Sequence, residues 1–215
     1  MSANRVEKLV YWYLRFNGYL TVENFTVHPD HKKDPEAEAD ILAVRFPFSK
    51  EEPEGYKFER DTELNLPGII DFIICEAKSG TCAINENSWG NSELDHIRYA
   101  LEWMGFIPDN PHIYKEAIEN LKRQRVWSSN GYSVRFVCFG KTINDQLREA
   151  YPAVLQTTLT RMMNFVYRRL TTYCNALHRE NWDAYIRTIA HLIELDNKPE
   201  QLLEWTLEQD KTGEI

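Results

Sequence analysis

The sequence predicts an α/β protein in which a mixed sheet follows one N-terminal helix and precedes a helical C-terminal part. Three observations lead to this prediction. Apolar residues repeat at helical spacing over residues 4 to 16, four later runs are rich in β-branched and aromatic residues, and helical spacing returns after about residue 145. This order of elements is typical of a sheet with helices packed on it. A chain of 215 residues is long enough to bury one sizeable core.

The first predicted helix covers residues 4 to 16 and ends at Asn17 and Gly18. The other predicted helices have apolar residues three or four positions apart, and they cover residues 93 to 104, 111 to 126, 159 to 177, 180 to 195 and 198 to 209. The predicted strands end at proline or glycine turns, and they cover residues 19 to 28, 38 to 46, 69 to 78 and 132 to 139. The third of these strands is apolar throughout, which is typical of a strand buried on both faces.

Residues 47 to 68 interrupt the pattern with three prolines, two glycines and many charges. This composition predicts an exposed insertion with a short hairpin of its own. We therefore predict a core over residues 1 to 145 that carries the insertion. Residues 146 to 215 would form a helical extension that packs on this core or on a partner.

The chain is acidic, with 25 basic and 33 acidic residues and a net charge of −8. A protein that binds phosphate backbones without sequence preference usually has the opposite balance. Contact with nucleic acid would therefore need a local basic patch, metal ions or a partner subunit. The densest basic cluster holds Lys122, Arg123 and Arg125 with Trp127 as a stacking surface, and we predict that it binds nucleic acid. Arg161, Arg168 and Arg169 form a second basic cluster, for which a solvated helix face is the alternative interpretation.

The four cysteines are widely spaced and form no C-x-x-C pair, which predicts reduced thiols rather than zinc ligands or a disulfide framework. No run approaches the length of a membrane-spanning helix, and no apolar leader segment opens the chain. We expect a soluble cytoplasmic protein with no membrane partner.

Three charged residues stand where apolar strands begin or end. Asp40 opens the second predicted strand, and Glu76 and Lys78 close the third. Side chains alternate along a strand, so Glu76 and Lys78 point to the same face. If the two strands pair, Asp40 lies beside Glu76, and a divalent cation that prefers oxygen ligands would relieve the repulsion between the carboxylates. Lys78 could then hold or activate a water for hydrolysis of a phosphodiester.

Asp40, the Glu76-Ala77-Lys78 motif and an N-terminal helix with Glu7 together resemble the PD-(D/E)XK nuclease superfamily, which includes restriction endonucleases. The resemblance implies a restriction-endonuclease-like core and a DNA-cleaving activity that depends on Mg²⁺ or Mn²⁺. It also implies that Asp40, Glu76 and the carbonyl of Ala77 bind the metal. By the same resemblance, Lys78 is the catalytic lysine and Glu7 orients the attacking water.

The chain departs from the family pattern in two ways. Ala39 stands where many members have proline, and the insertion lengthens the gap between Asp40 and Glu76. Other acidic residues could replace Asp40, namely Glu36, Glu38 and Asp71. Several polar side chains could assist the site, and they are Asn85, Asn87, Asn91, His28 and His31, although surface positions explain the two histidines well.

A second hypothesis is that the nuclease-like fold serves as a catalytically inactive module that binds a protein or nucleic-acid partner. The acidic charge and the methionine- and aromatic-rich helix after residue 159 favour partner binding. A homodimer would also suit cleavage of both strands of a duplex, because each subunit could address one strand.

Overall fold

The structure is a computed structural model. It describes residues 4–27, 37–49, 59–90, 95–106, 108, 110–129, 131–173 and 182–208. Within these residues the chain forms a mixed, open sheet of six strands with helices on both faces. The predicted α/β class with a mixed sheet is therefore confirmed. No helix in the described ranges combines the length and the apolar character that a membrane crossing requires.

The strands are β1 (Leu20–Val27), β2 (Ala37–Arg45), β3 (Ile70–Thr81), β4 (Val126–Ser129), β5 (Tyr132–Thr142) and β6 (Leu155–Thr158). The sheet order is β1-β2-β3-β5-β4, and β6 also pairs with β5. Antiparallel pairing joins β1 to β2 and β2 to β3, whereas β3 and β5 are parallel. The first half of β5 pairs with β4 and the second half with β6. The long strands β3 and β5 therefore form the centre of the sheet.

The helices are α1 (Arg5–Phe16), α2 (Glu86–Trp89), α3 (His96–Trp103), α4 (Pro111–Gln124), α5 (Asp145–Ala150), α6 (Leu159–Tyr173), α7 (Ala184–Glu194) and α8 (Pro199–Glu208). Asn4 caps α1, because its side chain accepts a hydrogen bond from the amide of Val6. Asn110 caps α4 in the same way, with Pro111 as the first helical residue.

Each face of the sheet has its own apolar core. Ile73 and Cys75 belong to the core beneath α1, α6, α7 and α8. Phe72 and Ile74 belong to the opposite core, beneath α2, α3, α4 and α5. This alternation explains why β3 is apolar at consecutive positions, because both of its faces are buried.

Residues after 145 were predicted to be helical throughout, and this prediction is wrong at residues 155–158, which form β6. The strand is only four residues long and pairs with the part of β5 beyond β4. Because β4 is equally short, the sequence periodicity indicated neither strand. Helix α6 shares the apolar core of α1, so the C-terminal helices pack on the sheet domain itself.

The predicted insertion at residues 47–68 is only partly exposed. Leu64 is fully buried and lies in a 3₁₀ turn at Thr62–Leu64. Asp61 is also buried and binds Arg161 on α6. Residues 50–58 of the insertion lie outside the described residues, so the hairpin predicted within 47–68 stays a prediction. The described part of the insertion is thus anchored to the C-terminal helices.

A buried ion pair lies at the start of β3. Asp71 is fully buried, and its carboxylate accepts hydrogen bonds from Arg135 Nε at 3.1 Å and Nη2 at 2.8 Å. The hydroxyl of Tyr19 also donates to Asp71. Both carboxylate oxygens are therefore bound by donors, which buried charges require.

We expect Asp71→Asn to lower the free energy of unfolding by about 3 to 5 kcal/mol, because it leaves the Arg135 guanidinium buried without its counter-charge. Urea denaturation measures this change. Asp145→Asn is the matched control, because its pair with Arg148 is exposed, and its loss should stay below about 1 kcal/mol. A loss of similar size in both variants would contradict this account of Asp71.

Candidate active site

The candidate site lies where β2 separates from β3. Their paired register runs from Arg45 opposite Asp71 to Ile41 opposite Cys75. The next residue of β2 toward its N-terminus is Asp40, whose side chain rather than backbone accepts the hydrogen bond from β3. Asp40 Oδ2 lies 2.7 Å from the amide nitrogen of Ala77, which donates to it. The carboxylate is thereby held at the edge of the sheet core, with 19% of its side chain exposed.

A local irregularity in β1 accompanies this separation. Glu23 pairs with Ile41 and Phe25 pairs with Ala39, so Asn24 lies opposite Asp40. Asn24 has a φ of 50°, a left-handed conformation that asparagine tolerates better than most residues. The alternation of β2 also shifts here, because Ala39 and Ile41 belong to opposite cores. The break in regular pairing leaves room for the Asp40 side chain to reach Ala77 and Lys78.

Lys78 lies between the two predicted carboxylates. Its Nζ is 3.1 Å from Asp40 Oδ2 and 2.7 Å from Glu76 Oε2. The structure thus brings Asp40, Glu76 and Lys78 together, although Asp40 is far from the other two in the sequence. The three groups have a formal charge of −1, so the ammonium offsets only one of the two carboxylates.

Glu76 is held from the opposite side by Trp89. The indole Nε1 of Trp89 donates a 2.7 Å hydrogen bond to Glu76 Oε1, and only 2% of the Glu76 side chain is exposed. Trp89 ends the short helix α2 and is itself buried. We did not predict a role for Trp89, because an isolated tryptophan in the sequence indicates only a core position.

The site shifts the pKa of both Glu76 and Lys78 upward. Burial raises the pKa of Glu76, and Lys78 and Trp89 offset this effect only in part. Burial acts to lower the pKa of Lys78, but the two nearby carboxylates outweigh it and raise the pKa above its ordinary value. The asymmetry follows from the charges, because Lys78 has two carboxylates whereas Glu76 shares one ammonium with Asp40.

Glu7 on α1 is the fourth predicted site residue, and it is half-buried near Asp40. Burial raises its pKa from 4.5 to about 7, and repulsion by Asp40, Glu38 and Glu23 adds to this effect. Lys78 acts in the opposite direction. Glu7 therefore changes its protonation state near neutral pH, as a general base would need to do.

Two of the alternatives to Asp40 lie within the described residues. Asp71 is bound by Arg135 at the other end of β3, and Glu38 is exposed. Among the candidate assisting residues, Asn85 and Asn87 are exposed. The remaining candidates fall outside the described residues, and they are Glu36, His28, His31 and Asn91.

The residues predicted to bind nucleic acid are dispersed. Arg125 is 1% exposed, and it donates a 2.9 Å hydrogen bond to the carbonyl of Trp89 and contacts Glu86 at 2.6 Å. Trp127 is also buried, and Lys122 contacts Asp95 at 3.3 Å. Arg123 is exposed. Arg125 and Trp127 therefore face the interior, where Arg125 supports the turn that carries Trp89.

The donor set fits an oxygen-preferring cation such as Mg²⁺. Within the described ranges, no three His, Cys, Asp or Glu side chains group into a metal site. Protein Mg²⁺ sites, however, commonly use one or two carboxylates and complete the shell with water and substrate phosphates. Asp40 and Glu76 supply two carboxylates that already surround a shared positive charge.

Comparison of the chain with protein families, with curated proteins and with solved structures finds no match.

The raised pKa of Glu7 makes stability depend on pH. Between about pH 4.5 and about 7 the folded chain holds a proton on Glu7 that the unfolded chain has lost. The contribution of Glu7 to the free energy of unfolding is therefore constant below about pH 4.5, falls as the pH rises from about 4.5 to about 7, and then levels off. We expect Glu7→Gln to change the free energy of unfolding more favourably at about pH 8 than at about pH 4.5. Urea denaturation at both pH values measures this difference.

Glu119→Gln on α4 is the control for this pH dependence, because Glu119 is 57% exposed and α4 packs on the opposite face of the sheet from α1, which carries Glu7. Its effect should be the same at both pH values. An equally pH-independent effect of Glu7→Gln would show that the pKa of Glu7 is ordinary.

Proposed function

We propose that this protein is a nuclease of the PD-(D/E)XK type that uses Mg²⁺ or Mn²⁺ to hydrolyse DNA phosphodiester bonds. The observation that supports the proposal most directly is the convergence of Asp40, Glu76 and Lys78. The sequence indicates these residues because their charges stand where apolar strands were predicted to begin or end. They lie where β2 separates from β3, and Lys78, with 34% of its side chain exposed, gives the group contact with solvent.

In the proposed mechanism, Asp40 and Glu76 would hold the cation, with the carbonyl of Ala77 as a further ligand by analogy with the family. The bound cation would lower the pKa of water and offset the charge that develops on the phosphate. Lys78 would leave its position between the carboxylates and present its ammonium to a phosphate oxygen or to the attacking water. A lysine side chain is protonated at neutral pH without any upward shift of its pKa, so the ammonium is available for this role.

Glu7 would act as the proton acceptor. Its pKa of about 7 means that the carboxylate form is substantially present at neutral pH. A carboxylate with this pKa accepts a proton from water more readily than one with an ordinary value.

A second candidate function has its own structural support. Asp40 satisfies the amide of Ala77, and Lys78 neutralises part of the charge on Asp40 and Glu76. These contacts give each residue a structural role without catalysis. They would be sufficient in a nuclease-like module that only binds a partner.

The nuclease proposal predicts cleavage of plasmid and single-stranded DNA that requires Mg²⁺ or Mn²⁺ and stops with a chelator. Glu76→Ala and Lys78→Ala should each reduce the cleavage rate by at least about 100-fold, because each removes a group that acts on the reacting atoms. Glu119→Ala and Lys115→Ala are matched controls, since this exposed pair lies on α4, and both should retain full activity.

Two outcomes would contradict the nuclease proposal. Cleavage that survives both Glu76→Ala and Lys78→Ala would come from another site or a contaminant. Absence of cleavage, together with no Mn²⁺ uptake that depends on Glu76 in calorimetry, would instead support the binding module.

Trp89 should act as a positioning residue for Glu76. Trp89→Phe keeps a buried aromatic ring but removes the indole N–H, so Glu76 Oε1 loses its donor. We expect Mn²⁺ affinity to fall by about 10-fold, in line with the loss of other groups that orient metal ligands. Calorimetric titration with Mn²⁺ measures this change.

Trp127→Phe is the control for Trp89, because it removes a buried indole N–H that binds Glu116 rather than Glu76. If both variants bind Mn²⁺ like the unmodified protein, the Trp89 hydrogen bond does not orient Glu76.

A further inference from the structure

An aromatic groove lies beside the candidate site. It has a volume of about 540 Å³ and is formed by the edge strand β1 and helix α3. Its lining includes Asn24, Phe25, Tyr99, Glu102 and Trp103. None of these residues takes part in the proposed metal site, so the groove needs a separate explanation.

Trp103 gives the groove an accessible aromatic surface. Its side chain is 54% exposed at the end of α3. The ring packs against Phe25 with a centroid distance of 4.2 Å and an interplanar angle of 44°. Large aromatic side chains usually bury more of their surface, and an exposed apolar surface in a groove is typical of a binding site.

The strand register places this groove next to Asp40. Asn24 lines the groove and lies opposite Asp40 in the β1–β2 pair. Neighbouring strands are separated by about 4.8 Å, so the backbone of the groove begins one strand spacing from the proposed metal ligand. The groove therefore begins beside the position proposed for the cation.

We propose that the groove binds an unpaired nucleobase of the DNA strand that is cleaved, with the base stacked on Trp103. This inference rests on the proposed nuclease function and specifies its substrate as single-stranded or locally unpaired DNA. Every base has an aromatic face, so stacking accepts any sequence. A base within a duplex is already stacked between its neighbours and would have to leave that stack to enter the groove.

The polar groups of the groove also suit a base better than a phosphate. Asn24 is exposed and carries an amide that can donate to and accept from a base edge. The described lining has no lysine or arginine to bind a phosphate. The Glu102 carboxylate already accepts hydrogen bonds from Arg98 and from the Tyr114 hydroxyl, so Asn24 would contact the base edge. The phosphate would instead lie toward Lys78, and the base toward Trp103.

The test measures binding of a fluorescently labelled oligo(dT) and of a duplex of the same length by anisotropy, with Ca²⁺ in place of Mg²⁺ to slow hydrolysis. Trp103→Ala should weaken binding of oligo(dT) by about 5- to 150-fold, the range expected for loss of one base–aromatic stack. Trp103→Phe should restore part of the affinity. Binding of the duplex should change little.

Phe48→Ala is the matched control, because Phe48 is 86% exposed and lies beyond the opposite end of β2 from Asp40. It should leave the affinity for oligo(dT) unchanged. A second readout uses oligo(dT) with one 5-iodouracil, which should crosslink under ultraviolet light to the peptide that contains Trp103.

Unchanged affinity of Trp103→Ala for oligo(dT), or an equal loss in Phe48→Ala, would overturn the inference. If metal-dependent cleavage persists in that case, the nuclease proposal stands and the groove serves another ligand, such as a peptide. If Trp103→Ala loses affinity for oligo(dT) but no cleavage is found, the groove binds DNA and the nuclease proposal fails.

Discussion

The candidate site depends on the attraction between one ammonium group and two carboxylates at the point where β2 separates from β3. Asp40 and Glu76 are both largely buried, and such a pair is strongly repulsive without a positive charge between them. Lys78 supplies that charge. Three features accompany this arrangement: β2 separates from β3 beside it, the Trp89 indole donates a hydrogen bond to Glu76, and Glu7 is half-buried near Asp40.

Buried carboxylates have different numbers of cationic partners in the first and the second half of β3. At the start of the strand, Arg135 binds both oxygens of Asp71, and Tyr19 adds a further donor. The buried Arg45 lies over the Tyr19 ring, so this network has no deficit of positive charge. At the far end, Lys78 serves two carboxylates and is 34% exposed. A site that is accessible and short of positive charge is suited to taking up a cation, whereas the closed pair is suited only to stability.

Much of this arrangement could be predicted from the sequence, because it follows from alternation along apolar strands. Strand parity placed Glu76 and Lys78 on one face, and strand pairing placed Asp40 beside them. The role of Trp89 could not be predicted, because it depends on a short helix that brings the indole back to Glu76. The burial of Arg125 and Trp127 was also hidden, because a basic cluster in sequence carries no sign of which side chains tertiary packing covers. Likewise, β6 was missed because four residues are too few to show a period.

The most direct test of the account is anomalous diffraction from crystals of the protein grown with Mn²⁺. The account predicts an anomalous peak between the carboxylates of Asp40 and Glu76, with the ammonium of Lys78 displaced from its contacts with both. Crystals at saturating Mn²⁺ that show no peak there, and in which Lys78 still bridges the two carboxylates, would contradict it.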